Sequence, residues 1–157
     1  MTTSLIDTIV PSFLSGKWLT PDNPTRITEV ADPSTGEIVA RVSAEGLDIA
    51  AAVDYARDIG RKNLQELTIH ERSLKIKELA IFLQDHRDEL NALAHKTGAN
   101  KRDNFVDVDG GISTMFTISS KGRREMPNAH VVTDGEPEVF SKDGSFSGRH
   151  IYTTIPG

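Results

Sequence analysis

The fold is decided by residues 32–42, which read Asp32-Pro-Ser-Thr-Gly36-Glu-Ile-Val-Ala-Arg-Val42. Pro33 fixes its own φ, and Gly36 tolerates the positive φ that tight turns often require. Residues 26–31, before this turn, alternate between polar and apolar types with the period of a β-strand, and residues 37–42 supply a returning strand. The stretch therefore predicts a β-hairpin.

Toward the amino terminus, the sequence continues to favour β-structure. Residues 12–19 predict one short strand that bends at Gly16, and residues 20–25 form a polar loop. We therefore expect residues 1–45 to form a β-hairpin arm.

Residues 46–125 predict four helices, and most have a recognisable start or stop. Asp48 caps a first helix that ends at Gly60. The second begins with Thr68-Ile-His-Glu71, which fits a capping box. The third spans about residues 87–96 and ends before Gly98, and the fourth spans about residues 103–121. The apolar side chains expected to face a core are Ile49, Ala52, Val53, Ala56 and Ile59 in the first helix, Leu74, Leu79, Ala80 and Leu83 in the second, Leu90, Leu93 and Ala94 in the third, and Phe105, Val108, Ile112, Met115 and Phe116 in the fourth.

The last part of the chain, residues 126–157, returns to β-structure. Residues 129–133 and 138–141 predict a hairpin that turns at Asp134-Gly135, and residues 146–155 predict a further strand. No predicted helix remains to cover these strands. Because exposed strand edges normally pair with another strand, we expect a partner for them.

The composition excludes several classes of function. The 157 residues carry a net charge of −5 and no cysteine. The mild acidic excess disfavours nucleic acid as a partner. Disulfides, cysteine-based zinc sites, iron–sulfur clusters and a cysteine nucleophile are excluded within these residues. No apolar run is long enough for a membrane span, and Asp7 stands where a signal peptide has Lys or Arg, so we expect a cytoplasmic protein without membrane contact.

The residue types alone predict no catalytic, cofactor-binding or metal site. The five histidines show no metal-binding spacing. A calcium loop around Asp107-Val-Asp109-Gly110 fails, because Phe105 and Phe116 occupy its first and last ligand positions. The pair Gly110-Gly111 lacks the lysine of a phosphate-binding loop.

A basic cluster closes the fourth predicted helix, at Lys121, Arg123 and Arg124. Cations at this end complement the partial negative charge of a helix C-terminus. The alternative is that the cluster binds an anionic ligand or another subunit.

Two sets of segments carry a resemblance to a known family. Gly16-Lys-Trp18, Pro33-Ser-Thr-Gly-Glu37 and the Ala-rich run from Leu47 to Ala56 resemble, in this order, the amino-terminal part of the aldehyde dehydrogenase superfamily. Residues 97–116, together with Gly122-Arg-Arg-Glu-Met-Pro127, resemble one branch of it, the bifunctional proteins of phenylacetic acid degradation. That branch pairs an aldehyde dehydrogenase with an enoyl-CoA hydratase-like, ring-opening domain. The resemblance runs from about Phe13 to Gly157.

The resemblance implies an α/β fold of which these residues form only the amino-terminal part. It comprises a β-hairpin arm in residues 1–45, a four-helix part in residues 46–125, and bridging or oligomerisation strands in residues 126–157. The Rossmann sheet and the nucleotide-binding, catalytic and hydratase domains are expected outside the chain. No catalytic or cofactor-binding residue is implied here, because the family's cysteine, glutamate, asparagine and lysine of the active site come after the position of residues 155–157.

The resemblance also implies an activity for the complete protein. It would oxidise a CoA-linked semialdehyde in phenylacetate degradation, with NAD or NADP accepting hydride after a thiolate attacks the aldehyde. The isolated chain is expected to be inactive and to bind no cofactor, and its partners to be the remainder of the dehydrogenase and further copies in a homo-oligomer. Two alternatives remain open: a stand-alone, non-catalytic oligomerisation module, and a segment of a semialdehyde dehydrogenase without the hydratase domain.

One region of this chain is implied to touch the substrate. In the family, the helix that matches residues 105–121 helps to line the substrate tunnel, and Val106 and Gly110 fall where tunnel-lining residues lie. We therefore expect Gly110-Gly111 to widen the tunnel for a CoA-linked semialdehyde. The alternative is that these glycines allow helices to pack closely through a bare backbone.

Overall fold

The computed structural model describes residues 9–153, in which short antiparallel hairpins come before and after the helices along the chain. The strands are β1 (Ser12–Leu14), β2 (Lys17–Leu19), β3 (Thr28–Ala31), β4 (Ile38–Val42), β5 (Val131–Val139) and β6 (Ser147–Thr153). Within these residues they make three two-stranded sheets, β1–β2, β3–β4 and β5–β6. The mixed α/β character expected from the sequence is confirmed.

The hairpin predicted at residues 26–42 is confirmed as β3–β4, which are antiparallel. Its turn depends on Asp32, whose N–H donates to the carbonyl oxygen of Glu37 and whose own carbonyl accepts from the N–H of Gly36, both at 2.8 Å. The Asp32 carboxylate also accepts from the N–H of Ser34 at 2.8 Å. Gly36 has a φ of 76°, the conformation for which a glycine was expected there.

The single bent strand predicted at residues 12–19 is wrong, because the chain reverses there completely. Ser15 and Gly16 have φ values of 50° and 79°, as in the two-residue turn that suits the twist of a hairpin. Phe13 and Trp18 are cross-strand partners in this β1–β2 hairpin, and their ring centroids lie 5.2 Å apart.

The four predicted helices are present, but two of them contain a π-helical segment. The first is α1 (Ile49–Tyr55), which continues through the first π segment (Ala56–Gly60) into α2 (Arg61–Gln65). The second and third are α3 (Ile69–Asp85) and α4 (Arg87–His95). The fourth is α5 (Lys101–Asn104), which continues through the second π segment (Phe105–Asp109) into α6 (Gly110–Glu125).

The predicted helix starts are confirmed where a side chain caps the backbone. Asp48 accepts from the N–H of Ala51 at 2.9 Å. Glu71 accepts from the N–H of Thr68 at 2.8 Å, and the Thr68 hydroxyl accepts from the N–H of Glu71 at 3.2 Å, which completes the capping box. The predicted end at Gly60 is wrong, because Gly60 has right-handed helical angles (φ −60°, ψ −49°) and the helix continues.

The predicted turn at Asp134-Gly135 is also wrong. β5 runs through both residues, with a shift of register against β6 between Asp134 and Glu138. The chain instead reverses between Phe140 and Phe146, where the N–H of Gly144 donates to the carbonyl of Ser141 at 3.2 Å. The further strand predicted at residues 146–155 is β6, and Ile155 lies outside the described residues.

Few of the predicted apolar faces are buried. Among residues 9–153, Ala80 and Ile112 are the buried apolar side chains, whereas Leu79 is 49% exposed and Phe105 is 66% exposed. The predicted periodicity is helical, but burial of these faces by other described residues is contradicted for Ile49, Val53, Ala56, Ile59, Leu74, Leu79, Leu93 and Phe105. The pattern identifies an apolar face and does not say which part of a protein covers it.

The described contacts divide the chain into two compact units. One contains the residues up to Ile59 together with His86–Gly111, and the other contains Gly60–Asp85 together with the residues from Ile112 onward. The sites described below lie within one unit or the other.

Candidate functional site

The two residues expected to line a tunnel lie at the second π segment. Val106 belongs to this segment, and its side chain is 64% exposed. Gly110 follows directly as the first residue of α6, and its N–H is shared between the carbonyl oxygens of Asp107 and of Phe105, the latter five residues back. The structure therefore places both residues on one helical surface, and their contact with a substrate stays a prediction.

Within residues 9–153, the glycine pair has no neighbour that would require a bare backbone. A methyl group on Gly110 would meet the carbonyl oxygen of Phe105 at 3.8 Å, which is ordinary van der Waals contact. A methyl group on Gly111 would meet nothing within 4 Å among the described residues. Close helix packing, the alternative explanation for this pair, has no support from this part of the chain.

Close packing through a glycine occurs instead at Gly122 on α6. A methyl group there would overlap the hydroxyl oxygen of Ser73 on α3. That hydroxyl donates to the carbonyl of Ile69 at 2.8 Å, so it is held in place. Sequence reasoning missed this contact, because a lone helical glycine does not indicate which residue it faces.

A cavity of about 410 Å³ lies between α4 and the segment that runs from α5 into the second π segment. Its lining includes Arg87, Asn91 and His95 from α4, and Asn104 and Asp109 from the facing segment. Val106 and Gly110 are not among its lining residues. The cavity is therefore separate from the surface that the resemblance indicates.

Two lining residues of this cavity, Arg87 and Asp109, form an ion pair in which Nε of Arg87 donates to a carboxylate oxygen of Asp109. The side chain of Asp109 is only 21% exposed. The hydrogen bond and the charge of Asp109 raise the pKa of Arg87 above its ordinary value. The pair joins the first residue of α4 to the last residue of the second π segment.

Asn104, which also lines the cavity, is only 2% exposed. Its Nδ2 donates to the carbonyl oxygen of Asn91 at 3.1 Å and lies 3.5 Å from Nε2 of His95. Nδ1 of His95 is 2.9 Å from the carbonyl of Ala99, so Nδ1 donates and Nε2 accepts in the neutral ring. The Asn104 Oδ1 atom is buried without a hydrogen-bond partner in the described part of the chain.

The predicted fourth helix begins earlier than Asp103, because Asn100 caps it. The side chain of Asn100 accepts from the N–H groups of Arg102 and Asp103 at 2.9 and 3.2 Å. The Asp103 carboxylate accepts in return from the N–H of Asn100 at 3.3 Å. This second capping box, Asn100-x-x-Asp103, was a missed sequence signal.

Two of the remaining polar candidates, Arg124 and His70, have local partners. Arg123 and Arg124 lie in the last turn of α6, and Arg124 contacts Glu125 at 3.2 Å. Nε2 of His70 lies 2.8 Å from the carbonyl oxygen of Met126. Residues 9–153 contain no group of three or more His, Cys, Asp or Glu side chains placed to hold a metal ion. No helix in this range is both long and apolar enough to cross a membrane.

The class of protein follows from comparison of the chain with known families. Residues 18–143, which contain most of the hairpin arm, all of the described helices and strand β5 of the last sheet, match the aldehyde dehydrogenase family. The chain therefore belongs to the aldehyde dehydrogenase family, as its sequence motifs indicated.

Two relatives make the comparison more specific. Over 147 residues, the chain is 31% identical to 3,4-dehydroadipyl-CoA semialdehyde dehydrogenase from Aromatoleum evansii. The aligned region makes up 93% of this chain and 28% of the relative. Over 90 residues, the chain is 33% identical to vanillin dehydrogenase from Pseudomonas sp. (strain HR199 / DSM 7063). This aligned region makes up 57% of the chain and 18% of that relative. The chain thus spans between a sixth and a third of the length of these relatives.

Proposed function

We propose that this chain forms the amino-terminal part of a dehydrogenase that oxidises a CoA-linked semialdehyde during phenylacetate degradation, with NAD or NADP as the hydride acceptor. The observation that carries the proposal is the similarity, over 93% of the chain, to a relative named as a CoA semialdehyde dehydrogenase. The family match over residues 18–143 supports the reaction class.

The reaction converts an aldehyde, water and oxidised cofactor into an acid, reduced cofactor and a proton. In this family a cysteine thiolate attacks the aldehyde, and these 157 residues contain no cysteine. The sheets of residues 9–153 are three antiparallel pairs, which lack the parallel βαβ unit that holds a dinucleotide. We therefore expect the thiolate and the cofactor-binding groups to come from other residues of the protein.

The exposed apolar side chains support a role as one part of a larger enzyme. Phe13 and Trp18 on the first hairpin, Phe82 on α3, and Phe140 and Phe146 beside the last sheet are all more than half exposed. Large exposed apolar surfaces usually mark contacts with other protein. We propose that the remainder of the dehydrogenase, and further copies in a cytoplasmic homo-oligomer, cover them.

A direct test compares the complete enzyme with this chain alone. The complete enzyme is expected to produce NADH or NADPH, followed by absorbance, when given 3,4-dehydroadipyl-CoA semialdehyde. The isolated chain is expected to produce neither. Aldehyde-dependent turnover by the isolated chain, or none by the complete enzyme with any aldehyde, would contradict the proposal.

The proposed role of Val106 and Gly110 is to line the substrate tunnel. In the complete enzyme, Gly110→Leu is expected to lower kcat/KM for the CoA-linked semialdehyde more than for a short aliphatic aldehyde, because the added side chain would narrow the tunnel. Gly111→Leu is the matched control, since it makes the same change one residue further along α6. Unchanged turnover of the long substrate by Gly110→Leu would exclude the tunnel role.

A second candidate function is a stand-alone assembly module that joins subunits through its edge strands. It is favoured by β5 and β6, which pair only with each other within the described residues. A well-folded isolated chain that oligomerises with increasing concentration would support this module. An aggregating chain without stable structure would contradict it. Reading the gene beyond the codon for residue 157 would distinguish a dehydrogenase without the hydratase domain from the bifunctional protein.

A further inference from the structure

We propose that Arg87 and Asn104 are positioning residues that fix the second π segment against α4, and that they thereby set the preference of the enzyme for long aldehydes. The inference rests on the proposed function, because the segment they hold carries Val106. It concerns the orientation of that segment and assigns no contact between substrate and either residue.

Asn104 and Arg87 form two polar contacts, here called ties, between α4 and the segment that runs from α5 into the second π segment. The Asn104 amide donates to the carbonyl of Asn91 at 3.1 Å. Arg87 forms its ion pair with Asp109. The ties join residue 91 to residue 104 and residue 87 to residue 109, so α4 and the segment run antiparallel to each other.

The two contact residues are spaced differently along the chain on α4 and on the facing segment. Arg87 and Asn91 are four residues apart, about one turn of an α-helix, so both can face the same neighbour. Asn104 and Asp109 are five residues apart. In an α-helix, five residues turn through about 500°, which would leave Asp109 about 140° around the axis from Asn104.

The π segment resolves this mismatch. Its hydrogen bond from the N–H of Gly110 to the carbonyl of Phe105 spans five residues instead of four. The wider turn brings residues five apart closer to one face, so that Asn104 and Asp109 both reach α4. The same winding leaves Phe105 and Val106 exposed.

Packing alone does not account for Asn104. Its Oδ1 atom is buried without a partner among the described residues, and a buried, unsatisfied acceptor disfavours the folded state. An apolar side chain of similar size would avoid this cost but would lose the bond to Asn91. π segments occur frequently at functional sites. The bond from Asn104 to Asn91 therefore acts on the position of the segment that follows Asn104.

The experiment uses the complete dehydrogenase and two substrates, the CoA-linked semialdehyde and a short aliphatic aldehyde. Arg87→Met is expected to lower the ratio of kcat/KM for the long over the short substrate by about tenfold, since small displacements of positioning groups have effects of this size or larger. Activity toward the short aldehyde is expected to be largely retained. Exchanging the charges, Arg87→Asp with Asp109→Arg, is expected to restore part of the ratio. The matched control is Arg102→Met, an exposed cation on α5.

Hydrogen exchange of residues 105–112 supplies a readout that does not depend on activity. Faster exchange there in Arg87→Met, together with the changed ratio, supports the proposal. Faster exchange with an unchanged ratio shows a structural tie only, and unchanged exchange shows no tie, so either result overturns it. If wild-type enzyme oxidises no aldehyde, the proposed function fails, and a positioning role in that reaction fails with it. Should Arg87→Met not fold, Asp109→Asn removes the same charge pair at nearly constant size.

Discussion

At the scale of single residues, the glycines of α6 differ in what their missing side chains avoid. Gly111 faces open space among the described residues, whereas Gly122 packs closely against Ser73 of α3. Both have the same intrinsic cost in a helix. Their substitutions therefore separate helix propensity from packing.

We expect Gly111→Ala to raise the stability of the protein by up to about 1 kcal/mol, because alanine favours the helix and meets no neighbour. Gly122→Ala is expected to lower it, because its methyl group would overlap the Ser73 hydroxyl. Urea denaturation followed by circular dichroism measures both. The double variant Ser73→Ala/Gly122→Ala should recover part of the loss. Equal stability of the two single variants would contradict the assigned contact.

The same residue type explains why the sequence predicted some turns and missed others. Gly36 and Gly98 have φ values of 76° and 89°, as expected after a strand and a helix, whereas Gly60 continues a helix at −60°. Gly135 has a φ of 57° and lies inside β5, at the shifted register. Glycine tolerates either sign of φ, so its presence permits a turn without requiring one.

At the scale of elements, capping side chains predicted helix starts well because their partners lie only three residues away. Asp48 and the Thr68–Glu71 pair are examples. The π segments could not be predicted, since the apolar repeat that identifies a helix has the period of an α-helix. The Arg87–Asp109 ion pair joins residues whose proximity depends on such a segment, so no local pattern revealed the site at α4.

The capping box of α3 predicts a dependence of stability on pH. The hydrogen bond from the Thr68 N–H, followed by that from its hydroxyl, lowers the pKa of Glu71 below its ordinary value of 4.5. Because the folded-state pKa is the lower one, this stabilisation is complete above the unfolded-state pKa and is lost as the pH falls through the folded-state value. We expect Glu71→Gln to flatten the fall of Tm as the pH drops below 4.5.

Thermal unfolding at closely spaced pH values measures that change. Thr68→Ala is the companion variant, and it is expected to cost about 1 kcal/mol at neutral pH because the hydroxyl cap of the helix is lost. The same acid dependence of Tm in Glu71→Gln and the wild-type protein would show that the box does not contribute.

At the scale of the whole molecule, the sequence identified the family and the apolar helix faces but not what covers them. Periodicity predicted cores at Leu74, Leu79 and Leu93, which are exposed in the structure. A repeat of apolar residues records that a face is covered in the working protein, whichever part of that protein does so. This is why the family and the mixed α/β character were predicted, while burial was predicted correctly for Ala80 and Ile112 but not for most of the apolar faces.

The β5–β6 sheet allows a prediction about how copies of the protein associate. Within the described residues, β5 and β6 each have one unpaired edge, and Ile151 on β6 is 60% exposed. A lysine on an edge strand opposes pairing with a second strand, because its charge would have to be desolvated there. If copies of the protein associate through this sheet, Ile151→Lys lowers the oligomer mass measured by sedimentation velocity. Ser113→Lys adds the same charge at an exposed position on α6 and is expected to leave the mass unchanged. An unchanged mass in Ile151→Lys would assign the association to another surface, and the exposed edge would then be covered by a different part of the dehydrogenase.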